Sequence, residues 1–223
     1  GVTVTGAKTT GNGGAFNSSA GILTVTDSVI TQNYGNDGAG IYGNSGTLTV
    51  SNSSITGNTS TGNGGGIFNF GKYGNSGPVQ ITNTTISGNN AVHGGGISNS
   101  APSITITDSS ITGNLATGNG GGISNDGRYG NAGPMTITNT TISGNNATGT
   151  GGGISNRGTL TISASTVSGN LANSLGGGIQ NDSRYGGTFS FSILNSQITN
   201  NISKDQGGGV SNQGNLTITH STI

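Results

Sequence analysis

The chain is poor in the residue types that usually hold a globular domain together or give it charge. Its 223 residues include no cysteine, no tryptophan, three prolines and 5% charged side chains, with no glutamate at all. Without cysteine there are no disulfides, and the redox compartment stays open. The formal net charge is zero, which makes nucleic acid and acidic membranes poor partners because both are held by basic surfaces.

Hydrophobic residues make up 27% of the chain, which is too few for an ordinary globular core of this length. Disorder would usually bring high charge or much proline, and this chain has neither. No stretch shows the 3.6-residue apolar period of an amphipathic helix, and the 47 glycines disfavour helices. The composition therefore fits a folded chain built from thin layers, each needing few apolar side chains.

One segment, Ile86–Asn99 (ISGNNAVHGGGISN), recurs with small changes along the sequence. Ile111–Asn125, Ile142–Asn156 and Val167–Asn181 are near-copies, and each is followed by a short run that alternates apolar and polar residues. The first apolar residues of these runs are Leu23, Leu48, Val79, Ile104, Met135, Leu160, Phe191 and Leu216. Their spacings alternate between 25 and 31 residues, so a short coil is paired with a long one. Such repetition is typical of a solenoid.

Three short strands are predicted in each coil: the alternating run, the T-I-S-G-N run and the G-G-I-S-N run. β-Branched residues favour strands, while Gly-Asn and Gly-Gly pairs favour tight corners. The sequence therefore predicts an all-β fold, a right-handed parallel β-helix of about eight coils in which 25- and 31-residue coils alternate. Residues 1–223 form a single solenoid in this interpretation. It begins and ends in mid-coil without caps, as expected for a segment of a longer or polymeric protein.

Two sets of asparagines recur in fixed phase and are predicted to form structural ladders, in which amides bond to one another and to the corner backbone. The first set is Asn58, Asn89, Asn114, Asn145, Asn170 and Asn201. The second set is Asn69, Asn99, Asn125, Asn156, Asn181 and Asn212. The apolar residues of all three strands, such as Ile104, Ile111 and Ile123, are predicted to point inward.

The pairing of I-[ST]-G-N with G-G-G-I resembles the F-x-x-N and G-G-A-[ILV] repeats of polymorphic outer-membrane proteins and related bacterial autotransporter passengers. Gly13-Gly14-Ala15-Phe16 is the closest copy of the second motif, and Gly94-Gly95-Gly96-Ile97 has glycine in place of its alanine. The first motif has Ile or Val where that family has Phe. The resemblance implies a right-handed parallel β-helix that is extracellular or on the cell surface, serving as a stalk or in adhesion.

Some parallel β-helices are polysaccharide lyases or hydrolases, and that activity would need clustered acids or a calcium site. The six aspartates are dispersed, and Asp126 and Asp182 occupy equivalent positions two coils apart, too far for one metal ion. His93 and His220 are interpreted as surface residues. The sequence therefore predicts a non-enzymatic protein without catalytic residues, metal ligands or cofactors.

The first functional hypothesis is a surface stalk, adhesin or filament subunit that can associate head to tail. Its candidate contact loops pair a cation with an aromatic ring and are Lys72-Tyr73, Arg128-Tyr129 and Arg184-Tyr185. Alternatively, each tyrosine folds back over its own loop. The expected partners are other copies of the chain or adjoining repeats, then carbohydrate or a host-cell surface, without nucleic acid or direct membrane insertion.

The second hypothesis is an ice-binding protein. Its proposed surface consists of threonines that point outward from the alternating runs: Thr24, Thr26, Thr49, Thr105, Thr107, Thr136, Thr138, Thr161, Thr217 and Thr219. Rows separated by the coil rise, and columns about 6.7 Å apart along the strand, would form a lattice of hydroxyl and methyl groups. Threonine is also a good outward strand residue for purely structural reasons.

Overall fold

The computed structural model describes residues 1–71, 77–100, 102–126, 132–182 and 189–223. Within these ranges every regular element is a β-strand, and the strands form four parallel sheets. A coil passes through sheets 1, 2, 3 and 4 in turn and then enters sheet 1 of the next coil. This is the predicted right-handed parallel β-helix. The described part of the chain contains no helix able to span a membrane.

Sheets 1 and 2 each contain eight strands. Sheet 1 is formed by the alternating apolar runs, and its strands are Gly21–Thr26, Gly46–Ser51, Val79–Thr82, Ile104–Thr107, Ala132–Thr138, Gly158–Ser163, Ser190–Leu194 and Asn215–Thr219. Sheet 2 is formed by the T-I-S runs, and its strands are Thr3–Thr5, Val29–Thr31, Ser54–Thr56, Thr85–Ser87, Ser110–Thr112, Thr141–Ser143, Thr166–Ser168 and Gln197–Thr199.

Sheets 3 and 4 complete each coil. Sheet 3 has seven two-residue strands, which are Tyr34–Gly35, Thr59–Ser60, Asn90–Ala91, Leu115–Ala116, Asn146–Ala147, Leu171–Ala172 and Ile202–Ser203. Sheet 4 follows the triple glycines, and its eight strands are Phe16–Ser18, Ile41–Asn44, Ile67–Phe70, Ile97–Asn99, Ile123–Asn125, Ile154–Asn156, Ile179–Asn181 and Val210–Asn212.

The three predicted strands correspond to sheets 1, 2 and 4, and the small sheet 3 is an addition that the sequence did not reveal. It arises because the T-I-S-G-N run bends at its glycine. Gly88, for example, has a φ of +61°, a left-handed conformation that ends the strand Thr85–Ser87. The chain then resumes as Asn90–Ala91, so the alternation of apolar and polar residues is too brief there to predict a separate strand.

The predicted register is confirmed by the pairing in sheet 1. Leu48 pairs with Val79, 31 residues later, and Val79 pairs with Ile104, 25 residues later. The alternation continues through Met135 and Leu160. The extra residues of the long coils lie between sheets 4 and 1, so the loop leaves the stacking of the four sheets intact.

The core is a set of apolar columns running through the described coils. Ile106 of sheet 1, Ile111 of sheet 2 and Ile123 of sheet 4 are each 0% exposed. Fully burying one such side chain contributes about 1.5–3 kcal/mol, so three or four per coil stabilise a thin layer. The inward orientation predicted for these residues is confirmed, although Val210 is only partly buried.

The corner between sheets 1 and 2 uses a left-handed residue that is not glycine. Its φ lies between 47° and 52° in Asp27, Asn52, Asn83, Asp108, Asn139, Ala164, Asn195 and His220. Asn and Asp tolerate this conformation better than other residues with a side chain, which explains why they dominate the column. Ala164 lacks that advantage, so its corner is strained.

Candidate functional surfaces

The first asparagine ladder fills the corner between sheets 2 and 3. Asn114 is 1% exposed, and its Nδ2 donates to Asn145 Oδ1 and to the carbonyl oxygen of Ile86, both at 3.0 Å. Its Oδ1 accepts the Nδ2 and the backbone N–H of Asn89, again at 3.0 Å. The whole hydrogen-bonding capacity of the amide is therefore used in binding three coils together.

Asn33 belongs to this ladder, although it was missing from the predicted set. Its Nδ2 donates to Asn58 Oδ1 at 2.9 Å. Gln32 stands before it in place of the usual glycine and adopts a φ of 55°. The signal that could have identified Asn33 was its position three residues after Ile30, which is the spacing of every other ladder member.

A ladder of buried hydroxyl groups lies at the corner between sheets 1 and 2 and was not predicted. The Ser109 hydroxyl donates to the Thr107 carbonyl at 2.7 Å and accepts the Thr84 backbone N–H at 3.1 Å. Equivalent bonds recur along the column Ser28, Ser53, Thr84, Ser109, Thr140, Ser165, Ser196 and Ser221. Serine and threonine are so common in this sequence that their phase alone did not single them out.

The second asparagine ladder lies within sheet 4. Asn99 Nδ2 donates to Asn125 Oδ1 at 2.9 Å, and Asn125 Nδ2 donates to Asn156 Oδ1 at 2.8 Å. The ladder ends at Asn69, whose Oδ1 is buried and has no hydrogen-bond partner among the described residues. Gly43 pairs with Asn69 in the neighbouring strand, where an asparagine would be needed to continue the ladder.

The triple glycines are required by close contacts between coils. Gly94 has a φ of +62°, which favours glycine. A Cβ on Gly95 would lie 2.4 Å from the Leu115 carbonyl oxygen, and one on Gly96 would lie 2.7 Å from the Gly122 carbonyl oxygen. Gly96 also leaves room for the amide of Asn114. The G-G-G-I motif therefore serves the fold, because it permits the first ladder and the stacking of coils.

The threonines proposed as an ice-binding array all lie on sheet 1, in two columns. The register places Thr105 beside Thr136 and Thr107 beside Thr138. Gln80 interrupts one column, and Leu194 interrupts the other. Thr138 Oγ1 lies 3.1 Å from Ser163 Oγ, so hydroxyl groups in neighbouring coils are close enough to bond.

Sheet 2 carries a second array of hydroxyl groups, which the sequence did not suggest. Its more regular column is Thr5, Thr31, Thr56, Ser87, Thr112, Ser143, Ser168 and Thr199. Thr56 Oγ1 donates to Thr31 Oγ1 at 3.1 Å. Every position in this column is Thr or Ser, so sheet 2 has the more continuous hydroxyl surface of the two sheets.

An aromatic groove interrupts the polar surface beside sheet 4. The outward positions of this sheet hold serine in several coils, such as Ser98 and Ser124, but Tyr42 and Phe68 in two adjacent coils. Their ring centroids are 5.8 Å apart, and that of Phe70 is 5.7 Å from that of Phe68. Together with polar side chains they line a cavity of about 240 Å³.

The polar wall of the groove comes from the segments that precede the glycines. Asp37 Oδ1 accepts the backbone N–H of Asn63 at 2.6 Å and its Nδ2 at 3.1 Å. Burial raises the pKa of Tyr42 above its ordinary value, the Asn12 side chain acts in the opposite direction, and the Asp37 carboxylate adds to the rise. The groove therefore places aromatic rings opposite a carboxylate and amides.

The six predicted contact residues, Lys72, Tyr73, Arg128, Tyr129, Arg184 and Tyr185, lie outside the described residues. His93 is half-buried, and its Nδ1 accepts the backbone N–H of Asn119 at 3.0 Å, which gives this histidine a structural contact. Asp126 accepts a hydrogen bond from Ser100 at 3.3 Å, and Asp182 lies 4.0 Å from Arg157 Nε. The described part of the chain brings no three His, Cys, Asp or Glu side chains together for a metal.

Comparison with known families agrees with this architecture. The model of the Chlamydia polymorphic membrane protein repeat matches residues 108–126. That segment contains Ile111-Thr112-Gly113-Asn114, which enters the first ladder, and Gly120-Gly121-Gly122-Ile123, which begins sheet 4. No curated protein and no solved structure matches the chain at a significant level. The repeat and the parallel solenoid fit a bacterial surface protein of the polymorphic membrane protein or autotransporter type, which confirms the resemblance.

Proposed function

We propose that this chain forms a rigid, non-enzymatic rod in an extracellular structural protein, acting as a surface stalk, adhesin or filament subunit. The observation that carries the proposal is the continuity of the first asparagine ladder, from Asn33 to Asn201, through consecutive coils. Each amide bonds to the coils on both sides, so bending the stack would break buried hydrogen bonds. A rod of this kind suits the separation of a contact surface from a cell.

The partners that suit such a rod are further repeats of the same kind, other copies of the chain, and carbohydrate or a host-cell surface. The outward faces of sheets 1 and 2 carry mostly hydroxyl groups and little charge. Such surfaces favour hydrogen bonding over attraction of charged polymers. Direct insertion into a membrane is no part of the proposal.

Surface location and rigidity can be tested separately. Intact and permeabilised cells that produce the native protein should be treated with an antibody against the chain. Equal labelling of both is expected, whereas labelling that requires permeabilisation would overturn a surface role. Electron micrographs of the purified native protein should show straight rods, and flexible or collapsed particles would contradict the structural role.

Ice binding remains the second candidate function, supported by the aligned threonines of sheet 1. The test is inhibition of ice recrystallisation by the purified chain. Thr105→Tyr with Thr136→Tyr should abolish inhibition, because the two bulky rings would disrupt the hydroxyl lattice. Leu115→Tyr, at an exposed position on sheet 3, is the matched control. Absence of inhibition by the unmodified chain would eliminate this candidate.

A further inference from the structure

We propose that the aromatic groove binds a single neutral sugar ring, a proposal that rests on the adhesin form of the function above and specifies its ligand. The groove is lined by Tyr42, Phe68 and Phe70 on one side and by Asn12, Asp37 and Asn63 on the other. A sugar presents an apolar C–H face and a rim of hydroxyl groups. Aromatic rings suit the first, and carboxylate and amide oxygens suit the second.

The fold does not require rings at these positions. Ser98 and Ser124 occupy the register of Phe68 in the next two coils, and they are 3% and 2% exposed with the same strand pairing. A ring at Phe68 therefore adds something that the stack of coils can do without. Three aromatic side chains have accumulated around one cavity in two adjacent coils, while the apolar columns of the core lie on the other face of sheet 4.

The groove also retains unused hydrogen-bonding capacity. Asp37 bonds to Asn63 through Oδ1, and its Oδ2 has no hydrogen-bond partner among the described residues. The same is true of Asn63 Oδ1 and Ser98 Oγ, within the part of the chain that the structure describes. Two of these three atoms are pure acceptors, so they need donors. Sugar hydroxyl groups supply donors without bringing a negative charge toward Asp37.

The size of the cavity limits the ligand. At about 240 Å³ it is smaller than the pockets of roughly 300–1,000 Å³ that take drug-sized molecules. It can therefore enclose one ring and leave the rest of a glycan outside. Phosphorylated or sulfated sugars are disfavoured because their anions would approach the carboxylates of Asp37 and Asp126, which both line the cavity.

The test is saturation-transfer NMR on the full chain with glucose, galactose, mannose and N-acetylglucosamine as separate probes. At least one should receive saturation through its C–H protons, as expected for contact with an aromatic ring. Phe68→Ser copies the residue of the next coil, so it should preserve the fold and weaken binding about tenfold or more. Asp37→Asn should also weaken binding, because the amide keeps the shape but loses acceptor strength.

Tyr34→Ala is the matched control, since Tyr34 is an exposed ring on sheet 3 that does not line the groove. Its binding should equal that of the unmodified chain. Saturation of none of the four sugars would overturn the proposal, as would binding that survives both Phe68→Ser and Asp37→Asn. Binding of a lysine-rich peptide in place of every sugar would also overturn it, assigning the groove to a cationic partner. None of these outcomes would affect the proposed surface rod, which depends on the ladders.

Discussion

The two asparagine ladders look alike in sequence but do different work. In the first ladder, each Oδ1 accepts a side-chain N–H and a backbone N–H, as Asn145 does from Asn114 at 3.0 Å in both bonds. In the second, Oδ1 accepts a side-chain N–H, and the backbone of Asn125 pairs within sheet 4. The first ladder therefore replaces main-chain pairing at a corner, whereas the second supplements pairing that a strand already provides.

This difference indicates where the stack should be most sensitive. A corner residue cannot pair with the neighbouring coil through its backbone alone, so the side chain must complete the bonding. A strand residue has no such need. Substitutions in the first ladder should therefore cost more than equivalent substitutions in the second, although both sets of side chains are almost fully buried.

The largest effect is expected from Asn114→Ala. This change removes four hydrogen bonds and leaves the Asn89 amide and backbone N–H buried without a partner. Unfolding free energy should fall by about 4 kcal/mol, since each stranded buried group costs about 1–3 kcal/mol. Asn125→Ala should cost about half as much. Denaturant unfolding of the two variants measures the difference, and equal losses would contradict the distinction between the ladders.

A somewhat smaller loss is expected when the first ladder is crowded instead of cut. Gly96→Ala would place a Cβ 2.7 Å from the Gly122 carbonyl oxygen and 3.1 Å from Asn114 Nδ2. Separating these groups should cost about 3 kcal/mol, at the upper end of overpacking penalties. Hydrogen exchange at Asn114 and Asn145 should accelerate locally. Gly113→Ala tests a glycine with free space around it, where only the φ of +62° opposes the change.

The second ladder can be extended at its open end. Gly43→Asn would supply an amide to the unpaired Oδ1 of Asn69 and should stabilise the fold by about 1 kcal/mol. Gly43→Ala places its Cβ 2.8 Å from the same oxygen without supplying a donor, so it should destabilise. Opposite signs in thermal unfolding are the expected result. If both variants are destabilised, the gap at Gly43 is a steric requirement and not a missing ladder member.

The smallest effect concerns pH beside that gap. Burial raises the pKa of Tyr42, so the folded state favours the neutral phenol. Its contribution to stability is complete below the unfolded-state pKa of about 10 and is lost as pH rises from there through the higher folded-state pKa. Thermal unfolding of Tyr42→Phe should therefore decline less steeply above pH 10 than that of the unmodified chain. Parallel declines would show that Tyr42 does not contribute.

Much of the fold could be predicted because its signals are periodic. The residues from Leu48 to Val79 to Ile104 repeat their spacing, and each belongs to a strand whose apolar residues are buried. The ladder members also recur in fixed phase. Sheet 3 and the hydroxyl column through Ser109 were missed, because two-residue strands have no detectable alternation and because hydroxyl residues occupy many other phases.

The aromatic groove could not be predicted for a different reason. Asn12, Asp37, Tyr42 and Phe68 are dispersed over three coils, and none belongs to a recognisable motif. Only the axial register brings them together. The residues chosen from sequence as a contact surface, such as Lys72-Tyr73, stood out because they formed a short local pattern, and that pattern lies outside the described residues.

The sequence by itself determined the coil period, the strands, the inward columns and the phases of the asparagines, because these follow from the order of residues along one coil. The tertiary structure decided which donor meets which acceptor, where the second ladder stops, and which outward side chains share a cavity. Those properties depend on contacts between coils about 4.8 Å apart, and a single coil does not contain them.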